Sequence, residues 1–260
     1  MSSKEKILKF LENNKSDYTS GEAMATSLGL SRNAIWKAIN ELKKDGYEID
    51  AVRNKGYRLS DNNDILSAPG IISHLDQGHS QIYIEDPSLI HVYKETSSTN
   101  RIAKELAITD LRQGTLIVAD EQTSGRGRGD HSFYSPKGGL YMSIVMTPDH
   151  LPGATADEVT MYIGKSVCDA ISDLTGLVPH LKPVNDLFLG DKKICGILTE
   201  AGLEYETGLL QWIVVGIGIN FSSDISAFPD DIKNRATSLF PTGDAPISRN
   251  QLIAQILNKL

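Results

Sequence analysis

The 260-residue chain is 40% hydrophobic and 23% charged with a net charge of −7, a composition that fits a folded globular protein and excludes a disordered or collagen-like one. Two cysteines, Cys168 and Cys195, lie in apolar segments; they are too few for a disulfide framework and read as reduced packing residues with no metal role. No apolar run is long enough to span a bilayer, and the charged, amphipathic start from Met1 to Asn14 is not a secretory leader, so a cytoplasmic protein with no membrane partner, built from two domains, is expected.

Charge is unevenly spread. Residues 1–60 hold eleven Lys/Arg against eight Asp/Glu, a balance of +3, which leaves −10 for the remainder. A small basic module on an acidic body suits a DNA reader joined to something else. Its elements are legible in order. Ser3 to Asn13 puts Ile7, Leu8 and Leu11 on one helical face, Ser20 caps a second helix over Gly21 to Leu28, and Gly29 breaks it. Ser31 caps a third, Arg32 to Lys44, with Ile35, Ala38, Ile39 and Leu42 inward and Asn33, Lys37, Asn40 and Lys44 outward. Tyr47 to Val52 and Gly56 to Leu59, joined through Arg53-Asn54-Lys55, form a hairpin wing. This is a winged helix-turn-helix, in which Ser31 opens the recognition helix, Arg32, Asn33 and Lys37 face base edges, and Arg53 and Lys55 face phosphate. Trp36, at the flank of the inner stripe, is expected to pack against the first helix.

The polar, turn-rich Ser60 to Pro69 separates two domains, 1–62 and 63–260. Strands are expected over Gln81 to Glu85 and Ile90 to Lys94, and Ser97-Ser98-Thr99-Asn100 opens a helix running through Ala107. Ser98 and Thr99 fit plain N-capping, and a helix N-terminus is also where backbone donors receive a polar ligand head. Leu116 to Val118 and Leu140 to Met146 are buried strands. Between them Gln122 precedes a Gly/Arg loop, Gly125-Arg126-Gly127-Arg128-Gly129, whose glycines allow close backbone approach and whose arginines suit carboxylate or phosphate. An anion-binding loop, a basic surface turn and a nucleic-acid contact all fit that run alone. Thr155 to Leu174 is an amphipathic helix, and His180 to Pro183, Leu187 to Leu189, Ile194 to Ala201 and Leu209 to Val215 are strands. Gly216 and Gly218 then read as strand-end flexibility, and Ser248 caps a last helix.

Ser98-Thr99-Asn100, the Gly/Arg loop, Lys182-Pro183-Val184-Asn185-Asp186, Gly196-Ile197-Leu198-Thr199-Glu200 and Gly216-Ile217-Gly218-Ile219-Asn220, in this order behind a winged helix, resemble the biotin protein ligases, and among them the bifunctional kind that also represses biotin genes. The resemblance implies an α+β protein: the winged helix-turn-helix plus a class II synthetase-like ligase domain with a mixed, largely antiparallel sheet. It implies that biotin and ATP, the latter with magnesium, form biotinyl-5′-AMP, that biotin passes to a lysine of a carboxyl carrier domain, and that the adenylate-bound form dimerises on operator DNA. It further implies that Ser98, Thr99, Asn100 and Gln122 bind the ureido ring, and that Arg126, Gly127 and Arg128 form the biotin and phosphate loop. Lys182 would reach the biotin carboxylate and α-phosphate, making Lys182, Arg126 and Arg128 the catalytic set, and Asn185 and Asn220 would contact the nucleotide. Arg235 to Leu239 resembles the family's nucleotide loop.

The chain departs from the family pattern at three places. A K-W-P-N-D motif is replaced by Lys182-Pro183-Val184-Asn185-Asp186, the later arginine of the loop is His131, and a usual tryptophan is Phe133. The family also continues with a small SH3-like domain, for which this chain has no room. These departures leave open a regulator that senses biotin or its adenylate without ligating, and a ligase for another acid such as lipoate.

Overall fold

The computed structural model describes residues 2–260 apart from 16, 62, 77–83, 85, 130 and 151–154. The strand expected over Gln81 to Glu85 falls outside the described residues but for Ile84, which belongs to no element. Contacts gather the chain into two units, one of residues 1–75 with 248–254, the other of residues 76–247 with 255–260. No helix among the described residues is long and apolar enough to cross a membrane.

In the first unit, helix α1 (Ser3–Asn13) starts with a reciprocal cap, Ser2 and Glu5 each bonding the other's backbone. Helix α2 (Gly21–Leu28) is capped by Ser20 and ends on left-handed Gly29, and α3 (Arg32–Lys44) is capped by the Ser31 hydroxyl, which accepts from the Ala34 amide at 3.1 Å. Ile7, Leu8, Leu11, Met24, Ile35, Ile39, Leu42 and Leu59 fill the space between them. Strands β1 (Ile49–Val52) and β2 (Gly56–Leu59) pair antiparallel, Ile49 opposite Leu59, as the wing. Gly56 must be glycine: its φ is +107°, and a Cβ there would lie 2.1 Å from the Thr19 carbonyl oxygen. Helix α4 (Ala68–Ile72) follows. The segment before it is clamped by Arg249, whose amide and Nε donate to Asp64 at 2.6 and 2.7 Å, and by Asn250, which bonds the Ser67 amide and the Ile65 carbonyl.

The second unit is a seven-stranded sheet in the order β3-β4-β5-β9-β8-β7-β6. Strand β3 (Ile90–Tyr93), helix α5 (Thr99–Thr109) and β4 (Leu116–Ala119) make the one parallel crossover among the described residues; β5 (Leu140–Met146), β6 (His180–Lys182), β7 (Asp186–Leu189), β8 (Lys192–Leu203) and β9 (Leu210–Ile219) join antiparallel, a mixed and largely antiparallel sheet as expected. Strand β5, buried at every position, is the central band. Helix α5 packs one face through Ala103 and Ala107 on Ile117, Val145, Trp212 and Val214. Helix α6 (Ala156–Thr175), with a Thr155–Glu158 capping box, covers the other face, where Thr160 meets Thr199 at 2.6 Å. Helix α7 (Asp230–Lys233) and the final helix α8 (Arg249–Asn258) complete the chain.

Two expectations need correction. Trp36 does not pack inward: it is 60% exposed. Its place at the edge of the stripe was consistent with either side, and the smaller Ile35, Ala38, Ile39 and Leu42 already fill the interior. Gly216 and Gly218 are not a strand end, because β9 continues to Ile219 and pairs through both residues with β5 and β8.

Candidate active site

Those glycines shape the floor of a cavity. On paired strands alternate residues share a face, and the register sets Gly196 against Gly218 and Leu198 against Gly216. Three residues on one face of β8 and β9 therefore lack side chains, and other groups occupy the space. A Cβ at Gly216 would lie 1.9 Å from Asn100 Oδ1, and one at Gly218 or Gly196 would lie 2.7 or 3.1 Å from the Phe133 ring. Above this floor is a cavity of about 420 Å³, a volume suited to a small ligand.

One end of the cavity is a polar network at the start of α5. Ser98, Thr99 and Asn100 are buried, and Ser98, although at the N-cap, makes no side-chain cap bond. The Thr99 amide donates to Gln122 Oε1 at 2.8 Å, and Gln122 Nε2 donates to Ser135 Oγ at 2.9 Å. Ser143 Oγ lies 2.7 Å from Thr99 Oγ1 and 2.6 Å from Asn100 Oδ1. A hydroxyl carries a single proton. Ser143 therefore donates to one of these two oxygens at a time, and the Thr99 hydroxyl donates to Gln122 Oε1 at 3.1 Å. Gln122 Oε1 thus accepts both the amide and the hydroxyl of Thr99, whereas the second N–H of Gln122, a residue of the cavity lining, has no partner among these bonds. Asn100 Nδ2 donates to Glu200 at 2.9 Å and to the Leu198 carbonyl at 3.3 Å, and Lys104 Nζ reaches the other Glu200 oxygen at 2.7 Å. Burial raises the Glu200 pKa, but the bonds from Lys104 and Asn100 and the charges of Lys104 and Arg126 hold it net below the usual glutamate value.

The Gly/Arg loop covers the opposite wall. It folds back on itself, with Arg126 bridged to Ser132, the Gly127 amide donating to the His131 carbonyl at 2.8 Å and the Phe133 amide to the Gly125 carbonyl at 2.9 Å. Arg126, Gly127 and Arg128 all line the cavity; the two arginines are exposed, and among the described residues Arg128 has only a loose, solvated pair with Asp157 at 4.0 Å. Asn185 lines it as well, its Nδ2 donating to the Ile197 carbonyl at 3.1 Å.

Two expected residues stand elsewhere. Lys182 is exposed at the end of β6, its Nζ 5.4 Å from the centre of the Phe188 ring, and Asn220 is buried beyond the wall, donating to the Thr237 carbonyl at 3.0 Å and accepting the Leu239 amide through its own carbonyl. Sequence reasoning missed Ser135, Ser143, Lys104 and Lys193. Ser143 was the one to find, a lone serine in the otherwise aliphatic and aromatic run Leu140 to Met146.

In the first unit the expected DNA-facing residues share the outer side of α3 and the wing. Asn33, Lys37, Arg53 and Lys55 are exposed, Lys55 Nζ 5.9 Å from the Tyr18 ring, and Arg32 is held 3.1 Å from Glu22 in an exposed pair. Ser31 spends its hydroxyl on the cap. A groove between α3 and the wing is lined by Arg32, Val52, Arg53, Asn54 and Tyr57.

Comparisons with known proteins match each of the two units to a family. The profile of the Biotin/lipoate A/B protein ligase family matches residues 92–220, and an HTH domain profile matches residues 3–58. The Bifunctional ligase/repressor BirA of Bacillus spizizenii is 37% identical over 244 residues, covering 93% of this chain and 72% of that protein; BirA of Escherichia coli K12 is 30% identical over 256 residues, 98% and 74%. Among solved structures, a biotin protein ligase from Aquifex aeolicus in complex with biotin and ATP superposes with a TM-score of 0.54 at 30% identity, covering 65% of this chain and 67% of that one. A cavity with an amide head, a glycine floor and a Gly/Arg wall thus stands where relatives similar along most of their length carry a ligase, and the chain belongs to the biotin/lipoate protein ligase family, among its bifunctional ligase/repressor members.

Proposed function

We infer that the chain is an ATP-dependent biotin ligase joined to a DNA-binding repressor: it forms biotinyl-5′-AMP from biotin and ATP, passes biotin to a lysine of a carboxyl carrier domain, and represses biotin genes. The polar head of the cavity carries the reading. A ureido ring has one carbonyl to be donated to and two N–H groups to be accepted, and the open N–H of Gln122, the hydroxyls of Ser98 and Thr99 and the fixed amide of Asn100 gather donors and acceptors of that kind at the buried end. The glycine floor and the Phe133 ring leave an apolar trough for the sulfur ring and the acyl chain.

At the open end, Arg126 and Arg128, with Gly127 between them, would hold the carboxylate and the α-phosphate where charge builds up during adenylation, and Lys182 shares that assignment from its motif position. Asn185 lies on the wall, and Asn220 would act on the nucleotide through the 237–239 segment it fixes. Magnesium would arrive with the triphosphate, and Asp186 is the carboxylate on the described wall positioned to meet it.

In the repressor half, residues 1–62 form the DNA module, with Ser31 setting the recognition helix, Arg32, Asn33 and Lys37 at base edges, and Arg53 and Lys55 at phosphates; residues 63–260 form the ligase body. The adenylate-bound form would be a homodimer on two-fold operator DNA. A protein that meets both DNA and a carrier lysine works in the cytoplasm.

Incubation with biotin, ATP and an acceptor carrier domain tests the reading. The intact mass of the acceptor should rise by one biotinyl group, and only with ATP present. A chain that binds biotin and never labels the acceptor is a sensor without ligase activity.

A further inference from the structure

Which end of the Asn100 amide meets a ligand is decided behind the cavity wall. Asn100 and Lys104 stand one turn apart on the same side of α5, and both reach Glu200 on β8. Asn100 Nδ2 donates to one carboxylate oxygen at 2.9 Å, and Lys104 Nζ takes the other at 2.7 Å. The second N–H of Asn100 goes to the Leu198 carbonyl at 3.3 Å. Both donors are then spent, and Oδ1 is left beside Ser143 and over Gly216, where a Cβ would lie 1.9 Å from it. A flipped amide would set its oxygen against the Glu200 and Leu198 oxygens, three acceptors with no proton between them. Ser143 does not choose, because a hydroxyl donates or accepts as its partner requires. Glu200, closer than Leu198 and charged, makes the choice. Burial raises its pKa, yet Lys104 and Asn100 hold it below the usual glutamate value, so that it stays an acceptor.

We propose that Glu200, with its partner Lys104, is a positioning residue for ligand choice: it presents the acceptor end of Asn100 to the cavity and so selects an acid whose ring carries N–H groups. The proposal rests on the reading of biotin as the ligand and adds the residue that sets which acid is taken. Asn100 lines the cavity, whereas Glu200 stands behind it and acts through that amide. A cyclic urea gives Oδ1 a proton in place of the water it displaces. A thiolane or dithiolane ring on the same acyl chain has none to give and leaves the open lone pair of a buried amide unpaired. Sites built on hydrogen bonds reject analogues by such mismatches.

The test is calorimetric binding, without ATP, of biotin and of 5-(thiolan-2-yl)pentanoate, which keeps the sulfur ring and the acyl chain and lacks the urea. Glu200→Gln keeps the shape, but the Lys104 ammonium claims the one remaining carbonyl oxygen and the new NH2 group faces Asn100, which must then turn its own oxygen away from the cavity. Biotin affinity should fall about tenfold while that of the urea-free acid stays within about threefold of the parent. Adding Lys104→Met frees the Gln oxygen to accept from Asn100, so the double variant should bind biotin within about threefold of the parent although both charges are gone. A role confined to the ion pair predicts no such recovery. Biotin bound within about twofold of the parent by a folded Glu200→Gln chain, an equal loss for the urea-free acid, or a double variant no better than the single one overturns the assignment. If melting shows Glu200→Gln to be unfolded, Glu200→Ala, which admits water, decides by the same pair of ligands. Parent chain that binds no biotin overturns the ligand reading and this proposal with it; parent that binds biotin and never labels a carrier loses the ligase reading alone, and the comparison of variants still decides.

Discussion

A carboxylate taken out of water without full compensation opposes folding, and Glu12 on α1 is in that position. Its side chain is 2% exposed, Lys15 approaches only to 3.8 Å, and Oε1 has no hydrogen-bond partner among the described residues. Burial raises its pKa; Lys15 lowers it in part, and Asp64 adds to the rise. A raised folded-state pKa gives a stability contribution that is full below the unfolded value near 4.5 and is lost as pH rises through the folded value. Glu12→Gln should therefore stabilise the first unit at pH 8 by roughly 1 kcal/mol and do nothing useful at pH 4, which paired thermal melts at the two pH values check. Equal gains at both would mean that packing, not charge, sets the effect. Ser143 presents the opposite case, a fully buried hydroxyl spent on the ligand head. Ser143→Ala leaves Asn100 Oδ1 without its donor, a loss of about 1 kcal/mol or more, and should weaken biotin binding about fivefold to tenfold in calorimetry while the sheet stays intact.

Elements were legible where their signals are local. The bounds of α1, α2 and α3 agree with expectation because Ser20, Ser31 and Gly29 set the caps of the second and third, and β5 was plain as a short, mostly apolar run that is buried throughout. Strand β9 was cut short because glycine is a poor strand former in isolation. What keeps it in the sheet is non-local: Asn100 and Phe133, more than eighty residues away in sequence, fill the places of its missing side chains. The same long reach hid the Lys104–Glu200 pair and the cavity side of Lys193. Gly216→Ala sets a methyl 1.9 Å from Asn100 Oδ1, so biotin affinity should fall at least about tenfold, the equivalent of roughly 1.4 kcal/mol. Unchanged affinity would show that Asn100 does not read the ligand. The Gly/Arg loop, with two exposed arginines and backbone bonds of its own, should be nicked by trypsin near Arg126 or Arg128 when empty and protected by biotin with ATP. Identical cleavage with and without them would mark it as a fixed turn.

At the scale of the whole chain, a DNA module of charge +3 on a body of charge −10 has little electrostatic hold on a duplex. Useful affinity then needs two modules on one site, and if adenylate favours the dimer, operator DNA must tighten adenylate binding by the same factor. Sedimentation with and without biotin and ATP, followed by DNA titration at fixed salt, measures both sides; a chain that stays monomeric with ligand, or binds a palindromic site equally well without it, breaks the coupling. The two tryptophans make such experiments readable without a label. Trp36 is 60% exposed on the recognition helix, whereas Trp212 is 7% exposed beneath α5, its ring where a Cβ on Gly202 would be. Their emission should differ in colour: a red component quenched by iodide from one unit, and a blue, protected component from the other. Each unit thus carries its own optical clock, so that operator binding should dim the red band alone, while a denaturant ramp that shifts the blue band alone records the melting of the ligase sheet.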